Sequence, residues 1–308
     1  MSVDPSQTRL AERLRQRQQP TPQELREHLL EVHRHNAGFT EACAHASRDS
    51  TGRNSYEWLA ELLDGERPSH VLDLACGSGL LSALCYARQP SGLAVTAVDM
   101  SEHELHLARE RLAGTGASLH QGMAQELHFL DDSSVDVVLC HWALTLMDPV
   151  EPVLGEVARV LRPGGVFAAI VDGDMRLSTN YEAVHHLIYD AVSDEYPGYG
   201  EFELGDARVR GADSLQRLVS RYFDADPVQV ESNVLHLEAP PPALARVVAG
   251  FFYAAFVLSG AAEQRMLAAL EAHFAAGPSA FAMPINRLVA RKAQGQGHAA
   301  KPSLAATR

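Results

Sequence analysis

The chain has 308 residues, enough to bury a full core in one large domain, and its 46% hydrophobic and 21% charged residues exclude a mainly disordered or fibrous protein. Lys+Arg 26 against Asp+Glu 39 gives a net charge of −13, which repels phosphate backbones and anionic lipid, so nucleic acid and membrane surfaces are poor partners. No apolar run approaches the ~18 residues of a spanning helix.

Met1 to about Pro22 is charged, Gln-rich and Pro-terminated and reads as a frayed or loosely docked arm; it lacks the apolar core of a secretory signal. From Thr21 the pattern turns helical. Thr21-Pro22-x-Glu24 has the form of an N-cap with Pro at the first helical position, and Leu25, Leu29, Leu30 and Val32 follow. A second helix carries Tyr56, Trp58, Leu59, Leu62 and Leu63 and stops at Asp64-Gly65. Alternation then begins: strand His70–Leu74, helix Leu80–Ala87, strand Leu93–Val98, helix Glu102–Leu112, strands Ser118–Gln121 and Val135–Cys140, helix Val150–Leu161, strand Gly165–Val171. Strands alternating with helices at this spacing mean right-handed βαβ units and a parallel sheet covered on both faces. After Asp172 come a Tyr- and His-rich segment to Gly211 and a sixth strand, Val228–Leu237. Two helices, Ala243–Leu258 and Ala262–Phe274, and a last strand, Phe281–Ala290, complete the order.

The expected organisation is an N-terminal arm with cap helices over 1–64, a nucleotide-binding domain over 65–292 with cap insertions at about 176–211 and 240–276, and a disordered tail over 293–308. The four cysteines, Cys43, Cys76, Cys85 and Cys140, show no CxxC spacing and read as reduced thiols of a cytoplasmic protein, with no disulfide framework and no metal site.

Chemistry concentrates at three strand ends. Val71-Leu72-Asp73-Leu74-Ala75-Cys76-Gly77-Ser78-Gly79 is a strand, an acid, a small-residue turn and a helix start. Gly77 and Gly79 let the backbone approach a ligand, and the helix N-terminus favours negative charge. Asp99 ends the second strand, where a carboxylate can accept from both hydroxyls of a ribose. Gly122-Met123-Ala124 follows the third strand, where an adenine edge would lie. The three together describe an adenosine site. A dinucleotide fold wants G-x-G-x-x-G, but the third position here is Ser82. That departure, the acid at Asp73 and the two-helix insertion before the last strand favour S-adenosylmethionine.

The arrangement resembles the class I S-adenosylmethionine-dependent methyltransferase family, in its small-molecule branch. The resemblance rests on Asp73–Gly79, Val98-Asp99-Met100-Ser101, Asp136-Val137-Val138-Leu139-Cys140 and Glu156-Val157-Ala158-Arg159-Val160-Leu161-Arg162-Pro163-Gly164-Gly165. It covers residues 55–175 by sequence and 225–292 by topology. It implies a Rossmann-like, doubly wound α/β fold with a mostly parallel seven-stranded sheet and a helical cap. By position, Asp73 and the Ala75, Cys76, Gly77 and Gly79 turn would hold the methionine end, Asp99 the ribose, and Met100, Met123 and Ala124 the adenine. Ala75 departs from the usual first Gly, and Met123 from an acid often found there.

The residue after the fourth strand faces the transferred methyl in this fold. Here it is His141, readable as a general base or as an orienting group, with Cys140 beside it as a cofactor contact. The segments that would cover the site supply Arg53 and Tyr56 as cofactor contacts and Tyr181 as a second catalytic candidate. Tyr181, His185 and Tyr189 also fall on one helix face, a packing pattern. The leading expectation is methylation of a small metabolite in specialised metabolism by a monomer or homodimer. The alternatives are a cyclase that converts S-adenosylmethionine to azetidine-2-carboxylate and methylthioadenosine, and a non-catalytic S-adenosylmethionine-binding protein.

Overall fold

The computed structural model describes residues 5–294 except Gly198, Glu203 and Asp224. Four central strands are nearly continuous apolar runs: β1 (His70–Leu74), β2 (Ala94–Asp99), β4 (Val135–His141) and β5 (Leu161–Asp172). With β3 (Ser118–Gln121), β6 (Gln229–Glu238) and β7 (Ala280–Arg291) they form one seven-stranded sheet of order β3-β2-β1-β4-β5-β7-β6. β1 to β5 run parallel, and β7 lies antiparallel to both β5 and β6. The expected doubly wound, mostly parallel α/β sheet is present.

Successive residues of a strand face opposite sides, so each run feeds two cores. Val71, Val137, Leu139, Val166, Ala168 and Ile170 enter one; Leu72, Leu74, Val138, Cys140, Phe167 and Ala169 enter the other. Each Val, Leu, Ile or Phe side chain among them, fully buried, contributes on the order of 1.5–3 kcal/mol. The second core is closed by α8 (Glu151–Val160) and α10 (Ala212–Val219). The first is closed by α4 (Ser55–Ala60), α6 (Leu80–Arg88), α9 (Thr179–Glu195), α11 (Pro241–Ala249) and α12 (Gly260–Ala276). α7 (Glu102–Arg111) packs Leu105 on Ala97 of β2.

The helix from Thr21 is α2 (Pro22–His35), and its expected N-cap is there: Glu24 N–H donates to Thr21 Oγ1, and Thr21 N–H donates to Glu24 Oε2. Four details differ from the sequence reading. The arm is not loose: α1 (Arg9–Arg15) buries Leu10 and Leu14, an i,i+4 pair, in the same core as Leu59 and Val71. The helix over 55–63 breaks at Glu61, with α5 (Leu62–Glu66) continuing through Asp64-Gly65. α11 ends at Gly250, and a 3-10 turn (Tyr253–Val257) replaces the rest of the expected helix. β5 starts at Leu161, because Gly164 and Gly165 pair with the Lys292 backbone beyond β7. A further helix, α3 (Phe39–Ala46), lies over the strand ends. Residues 295–308, most of the expected disordered tail, lie outside the described residues.

Candidate active site

The turn after β1 is held in an unusual backbone state. Ala75, Gly77 and Gly79 have φ of 58°, 52° and 77°. For Ala75 the left-handed region costs about 1–2 kcal/mol, which a glycine would not incur. Gly77 borders the pocket, whereas a Cβ on Gly79 would lie 3.0 Å from the Ala108 methyl. Gly79 therefore serves packing against α7 and the cap of α6, and it lies outside the pocket lining.

Three carboxyls converge on this turn. Asp73 is buried; its Oδ2 accepts from the Ser82 hydroxyl at 2.6 Å, and its Oδ1 has no partner among the described residues. Burial pushes its pKa up to about 7, against the opposing pull of Ser82. Asp99 accepts the Gly77 N–H at 2.8 Å and the Ser101 N–H at 2.9 Å; burial raises its pKa despite both. Glu104, on α7, accepts the Gly38 N–H and pairs with His33 Nδ1, each at 2.8 Å. Its Oε2 is buried without a partner among the described residues. His33 Nε2 lies 3.2 Å from the Tyr253 hydroxyl, so α2 and the 3-10 turn after α11 meet over α7.

Sequence reasoning passed over Glu104 and Tyr253, which the chain order scatters. It also passed over Arg26, a pocket-lining cation of α2 with no carboxylate partner among the described residues. Ser82 was read only as a missing glycine, yet its hydroxyl holds Asp73.

One pocket gathers Tyr56, Asp73, Ala75, Cys76, Gly77, Asp99, Met100, Met123, Ala124 and His141. Four candidates fall outside its lining. Gly79 packs on α7 as above. Cys140 points into the core beside Phe167 and is fully buried. Arg53 is drawn away by Asp49 at 2.9 Å and Glu61 at 2.6 Å. Tyr181 lines a second chamber instead, between the rings of Phe252 and Phe281.

His141 stacks on Tyr56 with ring centroids 3.6 Å apart, and its Nε2 meets Ser55 Oγ at 2.9 Å. Burial drives its pKa down to about 3. The ring is neutral at physiological pH. Trp142 follows with φ 59°, and its indole N–H donates to Asp172 Oδ1 at 3.0 Å. Trp142 borders the pocket on one side and the second chamber on the other.

That chamber measures about 980 Å³. The α9 face carrying Tyr181, His185 and Tyr189 lines it, with His185 stacked on Tyr189 at 3.9 Å. Among the described residues no group of three or more His, Cys, Asp or Glu is placed to hold a metal ion. No helix among them is long and apolar enough to cross a membrane.

Residues 72–169 match the family described as a methyltransferase domain. The chain is 36% identical over 105 residues to a demethylmenaquinone methyltransferase of Symbiobacterium thermophilum, covering 33% of this chain and 41% of that one. It is 38% identical over 125 residues to a malonyl-[acyl-carrier protein] O-methyltransferase of Pectobacterium atrosepticum, covering 40% and 47%. The chain thus spans less than half the length of either relative. The YcgJ protein of Bacillus subtilis shares the fold, with a TM-score of 0.53 at 17% identity over 77% of this chain and 98% of that one. The unpartnered carboxylate oxygens of Asp73 and Glu104 fit a ligand that brings hydrogen-bond donors and positive charge, as S-adenosylmethionine does. With its matched strand ends, residues 72–169 form a methyltransferase domain of the class I S-adenosylmethionine-dependent type, and S-adenosylmethionine is the cofactor of that domain.

Proposed function

We propose that the chain transfers a methyl group to a small-molecule acceptor in a biosynthetic pathway. The observation that carries this reading is a carboxylate-rich cofactor pocket that shares Trp142 with a separate, larger chamber. A methyltransferase needs room for a second reactant at the methyl-bearing end of the cofactor. A cyclase that consumes only S-adenosylmethionine has no use for such a chamber. The curated relatives that act on a menaquinone precursor and on a carrier-bound malonyl group support a small acceptor.

The bound cofactor supplies an electrophilic methyl on a cationic sulfur. The chain's own residues bind, orient and dehydrate. Asp73 Oδ1 would accept from the methionine ammonium, and Arg26 would pair with its carboxylate. Asp99 keeps unused lone pairs for the ribose hydroxyls, each such bond to a charged group contributing roughly 1.5–3 kcal/mol. Met100, Met123 and Ala124 would border the adenine. His141, neutral and hydrogen-bonded to Ser55, would hold Tyr56 as a wall beside the sulfonium, whose charge an aromatic face attracts. Tyr181 would contact the acceptor.

The deciding experiment incubates purified protein with S-adenosylmethionine, alone and with candidate acceptors. S-adenosylhomocysteine formed only when an acceptor is present is expected. Methylthioadenosine formed without any acceptor would overturn the reading in favour of the cyclase.

A further inference from the structure

We infer that the second chamber is the acceptor site and that its acceptor is a bulky, ring-bearing molecule with a hydroxyl or similar hydrogen-bond donor, not a small amine or amino acid. This rests on the methyltransferase reading above.

Size comes first. A chamber of about 980 Å³ stands at the top of the ~300–1,000 Å³ range of pockets for drug-sized ligands. A three-carbon amine would leave most of it filled with water, and the enzyme would lose the dehydration that a cationic methyl donor needs. Wall chemistry comes second. Trp142, Tyr181, Tyr189, Tyr199, Phe251 and Phe252 face the chamber from four different elements. The contacts among them are edge-on or tilted, with Trp142 to Phe251 at 4.9 Å and 82°, and Tyr189 to Tyr199 at 5.6 Å and 64°. A box of aromatic walls at such angles offers both ring faces and ring edges, which suits a flat ring inserted among them. His185 is neutral here, because burial lowers its pKa to about 4, so it adds surface and no charge.

Polarity comes third, and it is uneven. The exposed guanidinium of Arg210 stands at the rim, bonded to the Leu204 carbonyl. The inner end, beside Trp142, carries Asp172. One oxygen of Asp172 holds the indole N–H, and its backbone carbonyl takes the Asn286 amide. Its carboxylate is thereby fixed at the partition between chamber and cofactor pocket, where the acceptor atom must arrive. A fixed carboxylate there selects a group that donates a hydrogen bond and can pass a proton to it. When the acceptor hydroxyl attacks, its O–H proton goes to the Asp172 carboxylate and the new bond is O–CH3. The electron pair of the broken S–CH3 bond stays on sulfur.

Calorimetry on the complex with S-adenosylhomocysteine tests the inference, with naringenin, a three-ring phenol, as probe and glycine and ethanolamine as small controls. Naringenin is expected to bind at micromolar concentration and the controls not to bind at millimolar concentration. Tyr189→Leu and Gly200→Trp are expected to weaken naringenin at least about fivefold while S-adenosylhomocysteine binds as before. The Gly200 position has open space around an added side chain and a backbone any residue tolerates, so it guards against a folding failure at Tyr189. Asp172→Asn should weaken naringenin more than it changes the binding of naringenin 7-methyl ether, since only a free donor senses the carboxylate. Binding of a small amine in place of naringenin, or naringenin binding untouched by both wall variants, overturns the inference and leaves the cofactor reading standing. Failure of S-adenosylhomocysteine itself to bind overturns the cofactor reading separately.

Discussion

Asp73 is the residue on which binding and stability pull in opposite directions. Its folded pKa of about 7 lies above the ordinary carboxylate value, so between roughly pH 4 and 7 the folded chain holds a proton that the unfolded chain has released. Stability from this group is therefore full below pH 4 and is lost as pH rises to about 7. His141 acts in the other sense: with a pKa of about 3 it stays neutral while the unfolded imidazole is protonated, so its contribution is lost as pH falls from about 6.5 to 3. Asp73→Asn keeps an acceptor for Ser82 and removes the ionisation. The variant is expected to melt at higher temperature than wild type at pH 8 and to bind S-adenosylmethionine at least about tenfold more weakly, as an ammonium left without its carboxylate requires. The two effects appear in a melting curve and a calorimetric titration of the same sample. In wild type at pH 6.5 the approaching ammonium should ionise Asp73, so titrations in buffers of different ionisation enthalpy should report proton release. For His141→Asn, loss of the stack on Tyr56 should weaken the cofactor several-fold and leave the pH–rate profile unchanged in shape between pH 6 and 9. A loss of ~100-fold in turnover together with disappearance of the acidic limb would restore His141 as the general base.

At the scale of elements, the strands and the turn after β1 were legible because their signals are local. An apolar run, an acid and a string of small residues lie within a dozen positions, and the fold cannot use them in many ways. The cap was not legible in the same sense. Glu104 looks in sequence like one more charge on an amphipathic helix; its role arises because α2 and α3 are laid across α7. Cys140 falls outside the pocket lining for the opposite reason, since strand alternation turns its side chain into the core while its neighbour His141 turns out. The latch that lays α3 down is explicit. Arg111, at the end of α7, reaches both Glu41 oxygens, and Glu41 accepts from the Ser78 hydroxyl in the cofactor turn. Burial pushes Glu41 up, but Arg111 and Ser78 outweigh it and hold its pKa low. The pocket beneath encloses about 150 Å³, below the ~300 Å³ of ordinary ligand sites, so the cap sits drawn in and must lift to admit cofactor. Arg111→Ala should speed amide exchange across Phe39–Ala46 several-fold, and added S-adenosylhomocysteine should slow it again; exchange identical to wild type would mean that α3 is held by packing alone. Because the pair is half-exposed, its share of global stability is at most about 1 kcal/mol.

At the scale of the molecule, the sheet joins parts that the sequence reading had kept separate. α1, expected to be loose, shares a core with β1 and β5, so cap and body are one packed unit on that side. The long Tyr- and His-rich segment gave its helix face by spacing alone, but not the size of the space it borders. That depends on Phe251 and Phe252, about sixty residues away in the chain, standing opposite. The four cysteines turn this architecture into a set of timers. All are buried: Cys43 in the cap, Cys76 in the cofactor turn, Cys85 in α6 and Cys140 in the central strand. Burial lifts the Cys43 and Cys140 thiols to about 12, so none is a thiolate while its surroundings stay closed. A thiol reagent can then label each site only during an opening event. Mass spectrometry of the labelled peptides should show Cys43 reacting first, Cys76 slowed by S-adenosylhomocysteine, and Cys140 reacting only at the rate at which the whole chain unfolds.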